Sequence, residues 1–132
     1  MSRTIAAIST AGYGAIGVIK ISGNRSKKIL EELFKNAGKQ RIGSDIWQNK
    51  RLYYGTIEQD NRVLDEVMAV YMKAPHTYTR EDVVEIYTHG NPVCQRRILD
   101  AVIDEGAELA EPGEFTKLAF LNGRIDLTQA EA

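Results

Sequence analysis

Glu85 is the acid most out of place in this chain of 132 residues. It stands between Val84 and Ile86, inside the β-forming run 83–88. Alternation along a strand puts it on one face with Val83 and Tyr87. A carboxylate there either faces solvent or partners a nitrogen-rich ligand, because an unpaired buried charge is costly. A second candidate is the loop Ala11-Gly12-Tyr13-Gly14-Ala15-Ile16-Gly17. It does not fit the phosphate-binding pattern GxxxxGK[ST], because Val18 and Ile19 follow Gly17. It also leads into a strand, so no helix N-terminus receives a phosphate. The expectation is a tight turn between strands, with close backbone approach to some other ligand left open.

The remaining reactive side chains are sparse. His76 and His89 are thirteen positions apart, with no Cys or carboxylate at metal-ligand spacing, so no zinc site is expected. Cys94 begins a helix and reads as a small buried residue rather than a nucleophile with a paired base. Lys27-Lys28 and Arg96-Arg97 read as solvated helix faces. The segment Thr77-Tyr78-Thr79-Arg80-Glu81-Asp82 reads as a polar loop whose side chains hydrogen-bond nearby backbone.

These residues must be held by a fold of one-domain size. The net charge of −1 supplies no general attraction to nucleic acid or to a membrane surface. The one cysteine excludes an internal disulfide and suits a reducing compartment. The first residues lack a secretory h-region, and no apolar run could span a bilayer. A cytoplasmic location is expected.

Strands are expected over 4–9, 17–22, 52–58, 63–72 and 83–88, with a short last one over 107–110. The turn Gln59-Asp60-Asn61 makes the middle pair a hairpin. Ser26 is expected to cap a helix running to about Asn36, with Ile29, Leu30, Leu33 and Phe34 inward. The stretch 38–49 reads as loop, with Trp47 pinned on the body. A second helix is expected from Val93 to Glu105, with Ile98, Leu99, Val102 and Ile103 inward and Gly106 ending it. Pro112-Gly113 opens a third, with Phe115, Leu118, Ala119 and Leu121 inward. Strands and helices do not alternate cleanly, so the expected class is α+β: a mixed β-sheet with helices packed on it. Thr128 and Glu131 have the spacing of a capping box. They start a helix that the chain does not finish, which predicts the front portion of a longer protein. Residues 1–120 form one domain, and 121–132 begin a truncated helical one.

Three blocks in order resemble one family. Gly17-Val-Ile-Lys20-Ile-Ser-Gly23 follows the Gly-rich loop. Tyr78-Thr-Arg-Glu-Asp-Val-Val-Glu85-Ile86 leads into His89-Gly-Asn-Pro-Val93. Glu111-Pro-Gly-Glu-Phe-Thr116 leads into Ala119-Phe-Leu-Asn-Gly-Arg124-Ile-Asp-Leu-Thr-Gln-Ala-Glu-Ala132. Together they resemble the N-terminal domain of the tRNA-modification GTPases of the MnmE (TrmE) family. The resemblance covers nearly the whole chain apart from residues 35–50.

The resemblance implies a fold similar to the tetrahydrofolate-binding domain of aminomethyltransferases. It implies a bound 5-formyltetrahydrofolate or related tetrahydrofolate and a homodimer formed through this domain. The family's folate contacts fall on Lys20, Glu85 and Arg124. A carboxylate such as Glu85 suits the amino-pyrimidinone edge of a pterin, and cations such as Lys20 or Arg124 suit the tail carboxylates. Lys20 stands where the family usually carries Arg, and Arg124 where it often carries Lys. The full-length protein implied acts with the flavoprotein MnmG on the wobble uridine of tRNA at carbon 5. Its GTP, potassium and magnesium sites belong to a GTPase domain that this chain lacks. No catalytic or metal-binding residue of this chain is implied, nor any membrane partner. Two other readings stay open: a dimerisation module with a non-functional folate pocket, and a free-standing folate-dependent one-carbon transferase.

Overall fold

Ile19 and Ile21 alternate with Val18 and Lys20, and Val84 and Ile86 alternate with Glu85 and Tyr87. That two-residue period gives each strand one apolar face, and the sheet is built by aligning those faces. A computed structural model of the chain describes residues 3–9, 16–36, 47–89 and 91–123. The strands are β1 (Ile5–Ile8), β2 (Ile16–Ser22), β3 (Phe34–Asn36), β4 (Leu52–Gln59), β5 (Arg62–Met72), β6 (Val83–His89) and β7 (Glu108–Leu109). The helices are α1 (Ser26–Leu33), α2 (Pro92–Asp104) and α3 (Glu114–Leu121). The seven strands form one sheet in the order β3-β4-β5-β6-β2-β1-β7. Among the described residues only the β1–β7 pair is parallel. This is the mixed-sheet α+β architecture that the sequence predicts.

The helices α1 and α2 cover one face. Ile29, Leu30 and Leu33 of α1 and Ile98, Leu99, Ala101 and Val102 of α2 are buried against Ala6, Ile19, Ile21, Ile57, Val67, Ala69, Val84 and Ile86. Asn91 caps α2 by accepting the Val93 N–H at 2.8 Å, which satisfies a donor of the first turn. Gly106 follows that helix with φ 119°, as the sequence predicts for its C-terminal stop. The β4–β5 hairpin turns through Asp60 and Asn61, whose φ values of 53° and 63° suit a two-residue turn.

Several expectations are corrected. The first helix ends at Leu33, and Phe34 to Asn36 turn into β3 instead of continuing it. The reason lies across the sheet. Gly55 of β4 leaves room for the buried Phe34 ring, and β3 takes the open edge beside β4. Ser26 is the first helical residue rather than the cap, and its hydroxyl donates to the Asp82 carbonyl at 3.2 Å. Leu121 is exposed, while Ala119 is buried. Trp47 is pinned as expected, its ring 5.3 Å from Phe34 and 4.7 Å from Tyr53. The glycine-rich turn, most of the 38–49 loop and the helix start at Thr128 lie outside the described residues.

Gly55 also yields a stability prediction. A Cβ there would stand 2.0 Å from the Lys35 carbonyl oxygen and 2.7 Å from the Phe34 ring. The carbonyl is backbone of the neighbouring strand and cannot swing aside. Gly55→Ala should therefore cost about 1–3 kcal/mol, the usual range for overpacking. Urea unfolding would register this as a lower midpoint, and a midpoint equal to the parent's would contradict the packing described for β3.

Candidate functional site

Lys20 and Glu85 are direct cross-strand partners on β2 and β6, and they project from the sheet face opposite α1 and α2. Directly opposed side chains are the closest neighbours a sheet provides. The Lys20 Nζ stands 3.8 Å from Glu85 Oε2, with both side chains about one-quarter exposed (25 % and 22 %). Tyr87 lies two residues along β6 on the same face, and its hydroxyl donates to Glu85 Oε1. Burial first, and then this bond to a carboxylate, push the Tyr87 phenol well above its usual range. Tyr87 is therefore a fixed donor near neutral pH.

Two aromatic rings flank the cation. The Lys20 ammonium is 5.9 Å from the Tyr78 ring centre and 5.6 Å from that of Phe115. Each contact is of the kind worth roughly 0.5–1 kcal/mol when partly exposed. Phe115 belongs to α3, and Tyr78 to the segment that joins β5 to β6. Hydrogen bonds fasten these two pieces together. The Asn122 amide donates to the Thr79 carbonyl at 2.7 Å, and the Tyr78 hydroxyl donates to Thr116 Oγ1 at 3.3 Å. At the other end of α3, Arg3 pairs with Glu114 at 2.6 Å and with Glu108 at 3.3 Å.

The segment 77–82 bonds its own backbone, as its composition predicts, and also the end of β2. Thr77 Oγ1 donates to the Glu81 carbonyl at 2.6 Å. Ser22 Oγ shares a hydrogen bond with Thr79 Oγ1 at 2.7 Å and donates to Glu81 Oε1 at 2.8 Å. Asp82 accepts the Ala74 N–H at 2.9 Å. The polar residues of this segment are thus the struts that hold Tyr78 beside Lys20.

The result is a floor of paired charges with a phenol donor and two aromatic walls. It can hold a planar ligand that presents N–H donors to Glu85 and ring surface to Tyr78 and Phe115. Of the three residues implied by resemblance, Lys20 and Glu85 meet here, and Arg124 lies outside the described residues. Tyr87 was on Glu85's face by alternation, so its role was open to discovery from the strand pattern. Tyr78 and Phe115 carried no such signal, since only tertiary packing brings α3 and the 73–82 segment to β2.

The other candidates resolve otherwise. Gly17 sits where a Cβ would stand 2.1 Å from the Gln95 side chain, so this glycine allows β2 to approach α2 closely. His89 is held by Asp65, through its ring at 2.9 Å and its backbone N–H at 3.1 Å. Cys94 is partly buried on the first turn of α2. Among the described residues no group of three or more His, Cys, Asp or Glu could hold a metal ion.

On the same face, Tyr54, Met68 and Tyr87 line up across β4, β5 and β6, with Leu52 and Val70 in the next row. Leu52 (50 %), Tyr54 (53 %) and Met68 (41 %) are exposed. No helix among the described residues is long and apolar enough to cross a membrane.

The family model described as "GTP-binding protein TrmE N-terminus" matches residues 4–124. The chain is 53 % identical over 133 aligned residues to a tRNA modification GTPase MnmE of Finegoldia magna, an alignment covering 100 % of this chain and 28 % of that protein. It is 54 % identical to the protein of the same name from Desulfotalea psychrophila, over 99 % of this chain and 28 % of that protein. For the Clostridioides difficile protein of that name the identity is 48 %, over 98 % of this chain and 28 % of that protein. The chain thus spans little more than a quarter of the length of these relatives, and over that span it belongs to the TrmE N-terminal family.

Proposed function

We propose that this chain binds a tetrahydrofolate one-carbon carrier of the 5-formyl type on the β2–β6 floor and pairs with a second copy of itself. The observation that carries the reading is the Lys20–Glu85–Tyr87 cluster set between Tyr78 and Phe115. A reduced pterin has an amino-pyrimidinone edge with parallel N–H donors, and a carboxylate matches that edge with two charge-assisted hydrogen bonds. Glu85 is free to do this only by loosening its hold on Lys20 and Tyr87. Both then remain within reach of the ligand as donors. The two rings supply apolar surface to the ligand's flat parts. When bound, the folate supplies a one-carbon unit. The chain's own residues bind and orient it, and none of them is assigned a chemical step.

The placement of Lys20 refines its role. It stands beside Glu85, so it belongs to the pterin end if Glu85 holds the pterin. The carboxylates of a folate lie beyond a p-aminobenzoyl spacer and fall to other cations, of which Arg124 is one.

In a longer protein this unit forms the N-terminal folate-binding part, residues 1–120, followed from 121 by a helical domain. We assign to that protein, and not to this chain, GTP hydrolysis with potassium and magnesium. The same holds for wobble-uridine modification of tRNA in the cytoplasm together with the flavoprotein MnmG. Support comes from the shared family and from the relatives' name, tRNA modification GTPase.

The exposed patch of Leu52, Tyr54 and Met68 supports pairing, because a domain of this size gains by covering it. A stable interface of this kind buries more than about 1,000 Å². Light scattering of the chain at micromolar concentration should give twice its mass of 14.7 kDa, and a monomer at high concentration would contradict pairing through this domain.

Calorimetric titration with 5-formyltetrahydrofolate tests the site. Glu85→Gln keeps one acceptor oxygen but turns an amide donor toward a ligand donor. Hydrogen bonds to charged groups are worth about 1.5–3 kcal/mol, which corresponds to a loss of about one to two decades in affinity. The melting temperature and the dimer should barely change. Parent-like binding by the variant removes Glu85 from the site. No binding by the parent leaves the chain as a pairing module alone.

A further inference from the structure

Two cations of this chain are held in a backbone conformation that disfavours them. The non-glycine residues with positive φ among those described are Lys50 (63°), Asp60 (53°), Asn61 (63°) and Arg80 (62°). Asp60 and Asn61 make the β4–β5 hairpin turn, which requires such angles. Lys and Arg lack the short side chains that ease this conformation for Asp and Asn. Hydrogen bonds pin both backbones. The Lys50 N–H donates to the Tyr71 carbonyl at 2.8 Å, and the Arg80 N–H to the Thr77 carbonyl at 3.2 Å. An outlier enforced by its surroundings is a reason to look for a ligand.

Lys50 and Arg80 line one groove of about 700 Å³, whose other walls include Pro75, His76 and Tyr78. Among the described residues no carboxylate lines it. Among the described residues neither cation has an ion-pair partner. The groove is therefore an anion site by chemistry. Its size is that of a small-molecule pocket and not of a stripe that tracks a long polyanion. It adjoins the site described above, because Tyr78 lines the groove and also stands beside the Lys20 ammonium. Lys20 itself stands beside Glu85, which puts it at the opposite end of a folate from the carboxylates.

We infer that this groove takes the oligo-γ-glutamate tail of a folate, with Lys50 and Arg80 pairing its successive carboxylates. The chain thereby distinguishes polyglutamylated folates from the monoglutamate. This inference rests on the folate reading above and adds to it the class of carrier selected.

Titration of the 132-residue chain with the mono- and pentaglutamate forms of 5-formyltetrahydrofolate at low salt tests it. The comparison variant is the double substitution Lys50→Gly with Arg80→Gly, which relieves both backbone angles and so preserves folding. The parent should bind the pentaglutamate about tenfold more tightly, the yield of a few exposed ion pairs of modest strength. The double variant should bind both forms alike, at the parent's monoglutamate affinity. Equal affinity in the parent, or a preference that survives in the double variant, overturns the tail site and leaves the pterin site standing. If the parent binds neither form, the folate reading falls and this inference with it. A third arm uses a short single-stranded RNA. Binding of that RNA by the parent but not by the double variant, with no tail preference, would make the groove a nucleic-acid contact and overturn the inference.

Discussion

Ile19 meets Ile86 on one face of the sheet, and one step along the same ladder Lys20 meets Glu85 on the other. The pleat of the β2–β6 pair makes these two facts inseparable. A slip of one residue would put the two charges against α1 and α2 and the two isoleucines into solvent. The hydrophobic term that drives Ile19, Ile21, Val84 and Ile86 into the core therefore also fixes the register of the polar pair behind them. The site does not need its own folding energy, because the core on the far face holds its floor in place.

What lies above that floor depends on weaker and more local forces. Tyr78 is placed by a web of hydroxyl and carboxylate bonds running from Ser22 through Thr79 and Glu81 to Thr77. Phe115 is placed by α3, which is tied at one end to Arg3 and at the other to the Thr79 carbonyl. Such bonds contribute about 1 kcal/mol each and are lost singly, unlike a packed core. The floor thus rests on the packed core, and its two aromatic neighbours on separate polar bonds.

Much of this could be read from residue order. The β4–β5 hairpin, the strand around Glu85 and the apolar stripe of α2 all carry strong periodic signals, and the structure has them where expected. Phe34 was misplaced because its apolar spacing suits a helix, and nothing local says that Gly55, some twenty positions on, opens a slot for it. Glu85 is legible as a candidate for a site because a carboxylate interrupts an apolar strand. Lys20 was not legible by composition, since a lysine on a strand is ordinary; family resemblance supplied it, and the strand register then placed it opposite Glu85. The aromatic walls and the Lys50–Arg80 groove arise from tertiary placement and from backbone angles, neither of which leaves a mark in the order of residues.

We place the proposed folate site on the Lys20–Glu85 floor and not on another face of the sheet. Mapping amide chemical-shift changes on the isotope-labelled chain during titration with 5-formyltetrahydrofolate addresses it most directly. The largest changes should fall on Lys20, Tyr78, Glu85, Tyr87 and Phe115, that is on β2, β6, α3 and the segment that joins β5 to β6. Changes confined to α1, α2 or the β4–β5 hairpin, with the β2–β6 ladder unmoved, would contradict it.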